Sequence, residues 1–512
     1  MTIVSAATLR SDQDLDCDVC IIGSGAGGAV LAAGLVEQGL DVIVLEAGGY
    51  YTREDFAGGR ETWAYEHLYQ DRGSRATEDV AITVLQGRSV GGGTTINWTT
   101  CYRTPERILE HWRTVHGVQG LDAAALAPHW EAVERRLNIH EWPEEAANPN
   151  NQVLLRGGRA LGWHPHALRR NVRGCVNSGY CGVGCPVDGK QGMAVSYLDD
   201  AVRGGLRLFA NCEARELVWS ESTVSAVEAQ ALDPETDKPT GVRLTIRPKV
   251  VVNAGGAING PTLLLRSGID GGGLVGKRTF IHPVCGVAGL YDDLVAPWHG
   301  APQSVGCHEF VDRGPGRMGF FLESAPLQPM LASTVGFLFG QEHASFMGKL
   351  GHVGVVIALG IDGLLPEDVG GEVILKSDGR SWLRYPFREP LIEYLRASHV
   401  EMARCQLAAG ATEVASLHAT PVSLTSEADL DRLRNAPYGP HEQSMFTAHA
   451  MGGCAMGGAA ETSVVDSDLK VWGFDNLFVV DGSVFPTSLG VNPSLSIYGV
   501  ARRAREAVAA AV

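Results

Sequence analysis

The sequence predicts an α/β fold, α+β overall, in which a domain with a parallel sheet is joined to a second domain with an antiparallel sheet. Three observations carry this prediction. A glycine-rich turn near the N-terminus separates an apolar strand from a helix, as at the start of doubly wound sheets. Residues 286–440 contain short strand-like segments in alternation with turns, which is typical of antiparallel sheets. The chain of 512 residues is long enough for two or three packed domains.

The composition is that of an ordinary globular protein, with 45% hydrophobic and 20% charged residues. The net charge of −16 argues against nucleic acid as a partner, because proteins bind nucleic acids through clusters of Lys and Arg. No run of about 18 apolar residues predicts a membrane span. Residues 1–18 lack the basic and apolar regions of an export signal, so we expect a cytoplasmic protein.

The glycine-rich turn predicts a site for a dinucleotide. Residues 18–23 form an apolar strand, and residues 29–38 have the pattern of a helix rich in Ala and Leu. Between them lie Gly23, Gly25 and Gly28. In such a turn one glycine makes the tight bend, one lets the backbone approach a pyrophosphate, and one lets helix and strand pack closely. The N-terminus of the helix then faces the phosphates.

A second apolar strand at residues 41–45 ends in Glu46, about twenty residues after the turn. A carboxylate at this place can accept hydrogen bonds from a ribose diol. Strand, turn, helix, strand and acid in this order predict a Rossmann-like domain that binds an adenine dinucleotide. NAD and FAD use the same fingerprint, and both stay open at this point.

A second glycine-rich segment at residues 87–98 follows an apolar strand at residues 82–85. Glycine-rich backbone can lie against a flat or an anionic group. The alternative is a flexible surface loop, which the preceding strand and the bulky Asn97 and Trp98 at the end of the segment disfavour.

The sequence resembles the glucose-methanol-choline (GMC) family of flavin oxidoreductases over nearly its whole length. The motifs that carry the resemblance stand in the family's order, at residues 23–28, 87–98, 251–268, 449–454, 464–466, 476–486 and 490–493. The resemblance implies FAD as the cofactor and oxidation of a small-molecule alcohol, with oxygen or another acceptor taking the electrons. It assigns cofactor contacts to Gly23, Gly25, Gly28, Glu46, Arg88, Gly92, Gly93, Thr94, Asn97, Trp98, Val218, Ala254, Gly255, Asp481, Gly482, Asn492 and Pro493.

The C-terminal motif also has a physical explanation of its own. Residues 477–480 form a short apolar strand, and Asp481 and Gly482 turn off its carboxyl end, where ligands bind in open α/β sheets. Pro493 can begin the final helix, which continues through residues 501–511. We expect this helix to close the flavin site.

Two residues are candidates for catalysis. Oxidation by hydride transfer requires the hydroxyl proton to leave, so a base must stand near the flavin N5. By resemblance, His449 has the position of the family's active-site histidine, and an imidazole suits proton transfer near neutral pH. Asn492 has the companion position, which holds His or Asn in the family, and its amide can hydrogen-bond the substrate oxygen. Asn492 can also cap the final helix.

Cys175, Cys181 and Cys185 form a C-x5-C-x3-C-P run and are candidate metal ligands. Three explanations stay open: ligands of a [3Fe–4S] cluster, a packed loop with reduced thiols, and a disulfide. The run is similar to one in bacterial flavin glucose dehydrogenases with a three-iron cluster, whereas some alcohol oxidases of the family have a Gly-Cys-Pro stretch and no cluster. A cytoplasmic location disfavours the disulfide, and a structural zinc site lacks an evident fourth ligand.

The order of the motifs predicts three regions. A discontinuous FAD-binding domain comprises residues 14–105, 190–285 and 440–512, residues 106–189 form a lid with the cysteine loop, and residues 286–439 form the substrate-binding domain. Within the last region we expect strands at residues 318–322, 352–359 and 372–375 and a helix at residues 389–409.

The substrate is predicted to be a hydrophobic alcohol. Eight apolar side chains crowd the substrate-binding domain: Phe320, Phe321, Met330, Leu331, Phe337, Phe339, Phe346 and Met347. If they line the cavity, they favour an aliphatic or aromatic primary alcohol; otherwise they belong to the core. The layout also resembles the long-chain alcohol oxidases of the family. The alternatives are oxidation of a sugar or aminosugar hydroxyl by a dehydrogenase, and a redox-neutral flavin-containing lyase.

Overall fold

A computed structural model describes residues 2–336 and 338–512 of the chain. Its strands are β1 (Thr2–Ser5), β2 (Gln13–Ile22), β3 (Val42–Leu45), β4 (Thr83–Val84), β5 (Ile139–Glu141), β6 (His166–Ala167), β7 (Arg169–Asn171), β8 (Arg207–Ala210), β9 (Cys212–Ser220), β10 (Thr223–Leu232), β11 (Pro239–Asn253), β12 (Thr279–Ile281), β13 (Val284–Leu290), β14 (Val305–Cys307), β15 (Gly319–Ser324), β16 (Val353–Ile361), β17 (Glu372–Leu375), β18 (Ser381–Arg384), β19 (Glu413–Ser416), β20 (Ser423–Leu424), β21 (Phe446–Thr447), β22 (Ala450–Gly452) and β23 (Leu477–Val479).

The α-helices are α1 (Ala26–Glu37), α2 (Arg53–Phe56), α3 (Glu61–Leu68), α4 (Glu106–Val115), α5 (Ala123–Arg136), α6 (Pro149–Ala160), α7 (Tyr197–Arg203), α8 (Gly256–Arg266), α9 (Pro329–Val335), α10 (Gly340–Gly348), α11 (Glu389–Ala408), α12 (Leu430–Arg434) and α13 (Ser494–Ala510). Within the described ranges, no helix combines the length and the apolar character needed to cross a lipid bilayer.

The first sheet is mixed and has the strand order β1-β8-β3-β2-β11-β10-β9, with β23 beside the end of β11. Strands β1, β8, β3, β2 and β11 run parallel, and β10 and β9 add an antiparallel edge. The carboxyl-terminal half of β2 and all of β3 are buried, as parallel strands between helices require. This is the sheet that the first glycine motif predicts.

Helices α1, α7 and α13 pack together beside the first sheet. Helix α1 begins at Ala26, three residues before the predicted start, because Gly27 and Gly28 are helical here although glycine is a poor helix former. Helix α13 begins directly after Pro493, as predicted, and α1 lies against it.

The second sheet has the strand order β20-β19-β13-β16-β15-β14-β6, and β21 and β4 attach beside β13. Its central pairs, β13 with β16 and β15 with β16, are antiparallel. Strand β16 is buried along its whole length, since α11 packs on it. The strands predicted at residues 318–322 and 352–359 correspond to β15 and β16, whereas the one predicted at residues 372–375 pairs with β18 outside this sheet. The two sheets together confirm the predicted fold class.

Each sheet has its own hydrophobic core. One core contains side chains of the first sheet with α1 and α13, and another contains side chains of β13 to β16 with α11. The predicted boundaries of the three regions stay a prediction. Residues 446–452 lie beside the second sheet. Strand β21 pairs with β4 and with β13, and β22, which follows it in the chain, pairs with β12.

Candidate active site

A cavity of about 980 Å³ has walls from both sheets. Its volume is in the range of sites that hold cofactors and substrates together. The predicted cofactor-contacting residues in its wall are Gly23, Gly25, Glu46, Arg88, Gly92, Gly93, Thr94, Asn97, Trp98, Ala254, Gly255, Asp481, Gly482, Asn492 and Pro493. The structure therefore brings these separate motifs together around one space.

The first glycine turn has the two kinds of contact that the motif predicts. Gly23 has a φ of +104°, which favours glycine. A Cβ on Gly28 would lie 2.0 Å from the carbonyl oxygen of Gly23, so only glycine lets α1 pack against the turn. A Cβ on Gly25 would meet no protein atom closer than 3.9 Å, and Gly25 lines the cavity. Gly28 is thus a packing residue, and Gly25 leaves its space to a ligand.

Glu46 is held by the backbone around it. Its Oε2 accepts hydrogen bonds from the hydroxyl (2.6 Å) and the backbone N–H (3.1 Å) of Ser24, and its Oε1 accepts one from the N–H of Gly48 (2.8 Å). The Ser24 hydroxyl in turn accepts a hydrogen bond from the N–H of Gly91 (3.1 Å). Burial raises the pKa of Glu46. Ser24, which sequence reasoning did not single out, therefore joins the two glycine segments.

The second glycine segment forms one 3-10 turn, and its backbone lies against the first turn. A Cβ on Gly92 would lie 2.8 Å from the Cα of Gly25. The Thr94 hydroxyl donates to the carbonyl of Gly91 (2.6 Å) and accepts from the N–H of Met193 (2.9 Å). We call residues 23–28, Glu46 and residues 91–93 the glycine cradle.

Asp481 connects the end of β23 to the turn before α8. Its carboxylate accepts hydrogen bonds from the N–H groups of Gly256 and Ser483, both at 2.7 Å. A Cβ on Gly27 would lie 1.8 Å from the carbonyl oxygen of Val480, so α1 and this strand end are in close contact. The C-terminal motif is therefore fixed directly beside the cradle.

Val218 does not lie in the cavity wall, so the structure gives its assignment to the cofactor no support. Its side chain is 42% exposed on β9. Residues 212–215, at the beginning of the same strand, line the cavity instead. The strand leaves the cavity along its length, so a residue a few positions further on faces solvent.

His449 and Asn492 both lie in the cavity wall, although they are 43 positions apart in the sequence. The backbone N–H of His449 donates to the Thr447 hydroxyl (3.2 Å). Its imidazole Nδ1 lies 3.0 Å from Nδ1 of His282. Burial lowers the pKa of His449 to about 4, so the ring is neutral at physiological pH.

Sequence reasoning missed His282, which is fully buried beside His449. The antiparallel pairing of β12 with β22 places the two residues opposite each other, and the N–H of His282 donates to the carbonyl of His449 (3.2 Å). Burial, followed by the neighbouring His449, lowers the pKa of His282 well below its usual value. Only the register of the two strands could have shown this pair in advance.

Sequence reasoning also missed Glu323, which lies behind Asn492. Its Oε2 accepts hydrogen bonds from Nε2 of Gln303 (2.7 Å) and Nδ2 of Asn492 (3.3 Å). Burial raises the pKa of Glu323 to about 8. Oδ1 of Asn492 and Oε1 of Glu323 are buried and have no partner among the described residues. We call His449, His282, Asn492 and Glu323 the reaction end.

The apolar wall near the reaction end consists of side chains other than the predicted ones. Residues of the wall are Trp98, Val284, Ile357, Leu359 and Phe446. Phe320 and Phe321 belong to the core, and Met330, Leu331, Phe346 and Met347 are partly exposed on or beside α9 and α10. Phe339 is 84% exposed, and Phe337 lies outside the described residues. None of the seven described side chains lies in the wall of this cavity, so they do not support the choice of an apolar alcohol.

The three cysteines of the predicted metal site face a separate small cavity of about 10 Å³, together with Lys190. All three are free thiols. Residues 2–336 and 338–512 contain no group of three or more His, Cys, Asp or Glu side chains arranged to hold a metal ion. The [3Fe–4S] cluster therefore has no support in this arrangement, and the explanations of the cysteine run stay predictions.

Two buried cations, Lys190 and Arg170, contact the cysteine loop. The ammonium group of Lys190 donates to the backbone carbonyls of Thr95 (2.5 Å), Asn97 (3.2 Å) and Cys181 (2.7 Å). The fully buried guanidinium of Arg170 lies over the ring of Trp142 at 4.8 Å. The cysteine loop is therefore joined to the end of the second glycine segment.

Comparison with known proteins gives the family. Two family models described as GMC oxidoreductase match residues 65–284 and 385–501. An uncharacterized GMC-type oxidoreductase from Mycobacterium tuberculosis is 30% identical over 486 residues, which cover 94% of this chain and 74% of that protein. The long-chain-alcohol oxidase FAO4B of Arabidopsis thaliana is 29% identical, with 96% of this chain and 68% of that protein covered.

A solved structure shows the same fold at low identity. The crystal structure of pyridoxine 4-oxidase from Mesorbium loti superposes with a TM-score of 0.69 at 19% identity, covering 96% of this chain and 99% of that one. At this identity the likeness concerns the fold alone.

Proposed function

The chain belongs to the GMC oxidoreductase family, and we propose that it oxidises an apolar primary alcohol, aliphatic or aromatic, to the aldehyde. Membership makes it an FAD-dependent oxidoreductase that acts on CH–OH donors. The observation that carries the choice of substrate is the apolar wall of Val284, Ile357, Leu359 and Phe446 beside His449. Apolar walls bind apolar ligands because burying such surface removes it from water.

The cavity fits FAD in its shape and its chemistry. Gly25 and Gly92 present bare backbone to it, and the N-terminus of α1 opens onto it, as a pyrophosphate requires. Glu46 would stand at the ribose, with its carboxylate already fixed by Ser24 and Gly48. When bound, FAD supplies the acceptor of the substrate hydride at N5.

His449 and Asn492 act on the hydroxyl group of the substrate in this proposal. His449 takes the hydroxyl proton, since its imidazole lies in the cavity wall and is neutral at physiological pH. Asn492 donates one Nδ2 hydrogen to Glu323, which fixes the orientation of the amide, and its second Nδ2 hydrogen can donate to the substrate oxygen and leave the hydroxyl proton to His449. The apolar wall excludes water while the carbinol carbon lies at the flavin.

A second candidate, oxidation of a sugar or aminosugar hydroxyl, is favoured by the polar groups of the same site. Gln303, Asn492 and Glu323 form a hydrogen-bonded set at one side of the cavity. A substrate with several hydroxyl groups would use these atoms, whereas a long-chain alcohol would use the apolar wall.

The experiment is reduction of the bound flavin without oxygen. The holoenzyme is mixed with 1-decanol, benzyl alcohol, glucose or glucosamine, and the flavin absorbance is followed. We expect the two apolar alcohols to bleach the flavin fastest. His449→Ala is expected to slow bleaching by about 10²- to 10⁴-fold, while the exposed His140→Ala serves as the control.

Other results of the bleaching experiment would change the proposed substrate or reaction. Faster bleaching with glucose or glucosamine would replace the apolar substrate by the second candidate. Retention of flavin with no bleaching by any alcohol would favour a redox-neutral lyase. Reoxidation with dissolved oxygen or with an artificial dye then separates an oxidase from a dehydrogenase. The iron content per flavin tests the cysteine loop, since three irons would restore the cluster and none would leave reduced thiols.

A further inference from the structure

The backbone brings a second imidazole to the candidate active-site histidine. Strands β12 and β22 are antiparallel, with Ile281 opposite Ala450, so the next pair in register is His282 and His449. The N–H of His282 donates to the carbonyl of His449 at 3.2 Å, which continues the ladder by one residue. Side chains that are opposite in such a pair lie on the same face and contact each other.

The imidazoles of His282 and His449 contact each other through the same ring atom, Nδ1. Nδ1 of His282 lies 3.0 Å from Nδ1 of His449. A hydrogen bond between two nitrogens requires a hydrogen on one and a lone pair on the other. Burial lowers the pKa of both rings, to about 4 for His449, so both are neutral and carry one hydrogen each.

The backbone of Gly490 decides which ring donates. Its N–H donates to Nε2 of His282 at 3.3 Å. A backbone N–H can only donate, so Nε2 of His282 must have a lone pair. The hydrogen of His282 is then on Nδ1 and points at Nδ1 of His449. His449 accepts it, and its own hydrogen is then on Nε2, for which the described residues offer no partner; His449 itself lies in the cavity wall.

We infer that His282 is a positioning residue that selects the tautomer of His449, so that in the resting protein His449 presents Nε2–H to the cavity. In this tautomer His449 donates a hydrogen bond to the substrate oxygen. It has a lone pair on Nε2 only when its hydrogen is on Nδ1 and is donated to His282. His282 would then carry its hydrogen on Nε2, opposite the N–H of Gly490, and that hydrogen bond is lost.

The consequence for catalysis rests on the proposed function, whereas the tautomer itself does not. Removal of the hydroxyl proton by His449 requires the two imidazoles to exchange donor and acceptor roles. The loop that carries Gly490 also carries Asn492, so the residue that binds the substrate oxygen and the N–H that fixes the tautomer are two positions apart. This loop therefore influences both the binding of the substrate oxygen and the tautomer of His449.

Two variants of nearly equal shape test the inference. In His282→Asn the side-chain amide takes the place of Nδ1–H and can still donate to His449. In His282→Asp the carboxylate can only accept, so His449 must carry its hydrogen on Nδ1. The measurement is the ¹⁵N NMR spectrum of histidine-labelled holoenzyme, in which protonated and bare ring nitrogens have well separated shifts, with His449→Gln to assign the signals.

We expect Nε2 of His449 to be protonated in the natural protein and in His282→Asn, and Nδ1 to be protonated in His282→Asp. A hydrogen on Nδ1 in the natural protein would overturn the inference, and so would an unchanged tautomer in His282→Asp. The visible flavin spectrum of each variant confirms that it is folded. No substrate is present in this measurement, so its failure is independent of any failure of the proposed reaction.

Discussion

The glycine cradle and the reaction end both contribute residues to the wall of the same cavity, and they differ in how their polar atoms are satisfied. In the cradle, both carboxylate oxygens of Glu46 and the hydroxyl of Ser24 have partners within the protein. At the reaction end, Oδ1 of Asn492 and Oε1 of Glu323 are buried and have none among the described residues. Buried polar atoms normally have partners, so Asn492, which lies in the cavity wall, has an acceptor left open to a ligand. The polar groups of the cradle are thus satisfied without a ligand, whereas in our proposal a ligand satisfies those of the reaction end.

The largest effect is expected at Gly28 of the cradle, where the packing leaves no room for a side chain. In Gly28→Ala the new Cβ would lie 2.0 Å from the carbonyl of Gly23, so α1 has to move. We expect a loss of about 3 kcal/mol in the free energy of unfolding, with loss of bound flavin. In the matched variant Gly25→Ala the nearest protein atom is 3.9 Å away. That variant should keep the stability of the flavin-free protein and lose flavin affinity.

Thermal unfolding with and without flavin measures both glycine variants. If Gly28→Ala and Gly25→Ala lower the melting temperature of the flavin-free protein equally, the separation of packing glycine from ligand glycine is wrong.

The next effect concerns the open atoms of the reaction end. Asn492→Leu removes the amide while nearly keeping its volume, and it leaves Oε2 of Glu323 without one donor. We expect flavin reduction by the best alcohol to slow by about 10²-fold, because a hydrogen bond at the reacting oxygen is lost. Asn492→His should retain much of the activity. Flavin content is measured in both variants and rates are compared per bound flavin, because Asn492 is also a predicted cofactor contact.

The carboxyl of Glu323 predicts a pH dependence of stability. Its pKa is raised from 4.5 to about 8, so the folded protein binds a proton that the unfolded chain releases between these values. Stability from this group is therefore present below about pH 4.5 and is lost as the pH rises through about 8. Glu323→Gln mimics the protonated form, so its advantage should grow over this window, by up to about 5 kcal/mol.

Urea unfolding of both proteins at several pH values measures this difference. A constant difference between pH 5 and pH 8 would show that the pKa of Glu323 is not raised in the folded protein.

The smallest effect is expected from the link within the cradle. Ser24→Ala removes the hydrogen bonds to Glu46 and from Gly91, so the two glycine segments lose their connection. We expect flavin affinity to fall by about 10-fold, from a loss of about 1.4 kcal/mol. Val218→Ala, in the exposed part of β9, should leave flavin affinity unchanged. A clear loss in Val218→Ala would reinstate Val218 as a cofactor contact. Titration of each flavin-free variant with FAD measures these affinities.

The predictions made from the sequence succeeded where the information is contiguous. Gly23, Gly25, Gly28 and Glu46 lie within 24 positions, and each is required by the local geometry of one strand-turn-helix-strand unit. The sequence could not decide the places of side chains that depend on distant contacts. Val218 faces solvent because β9 leaves the cavity, and Phe320 and Phe321 are buried because both faces of β15 pack against hydrophobic side chains.

The sequence by itself determined the family, the dinucleotide fingerprint and the candidates His449 and Asn492, because these depend on residue type and spacing along the chain. Only the tertiary structure decided that His282 contacts His449 and that Glu323 supports Asn492. Such contacts depend on the register of strands from distant segments and on the burial of the groups between them. Neither strand register nor burial is a property of a short stretch of sequence. Together they determine which imidazole nitrogen carries a hydrogen and which carboxyl group is protonated.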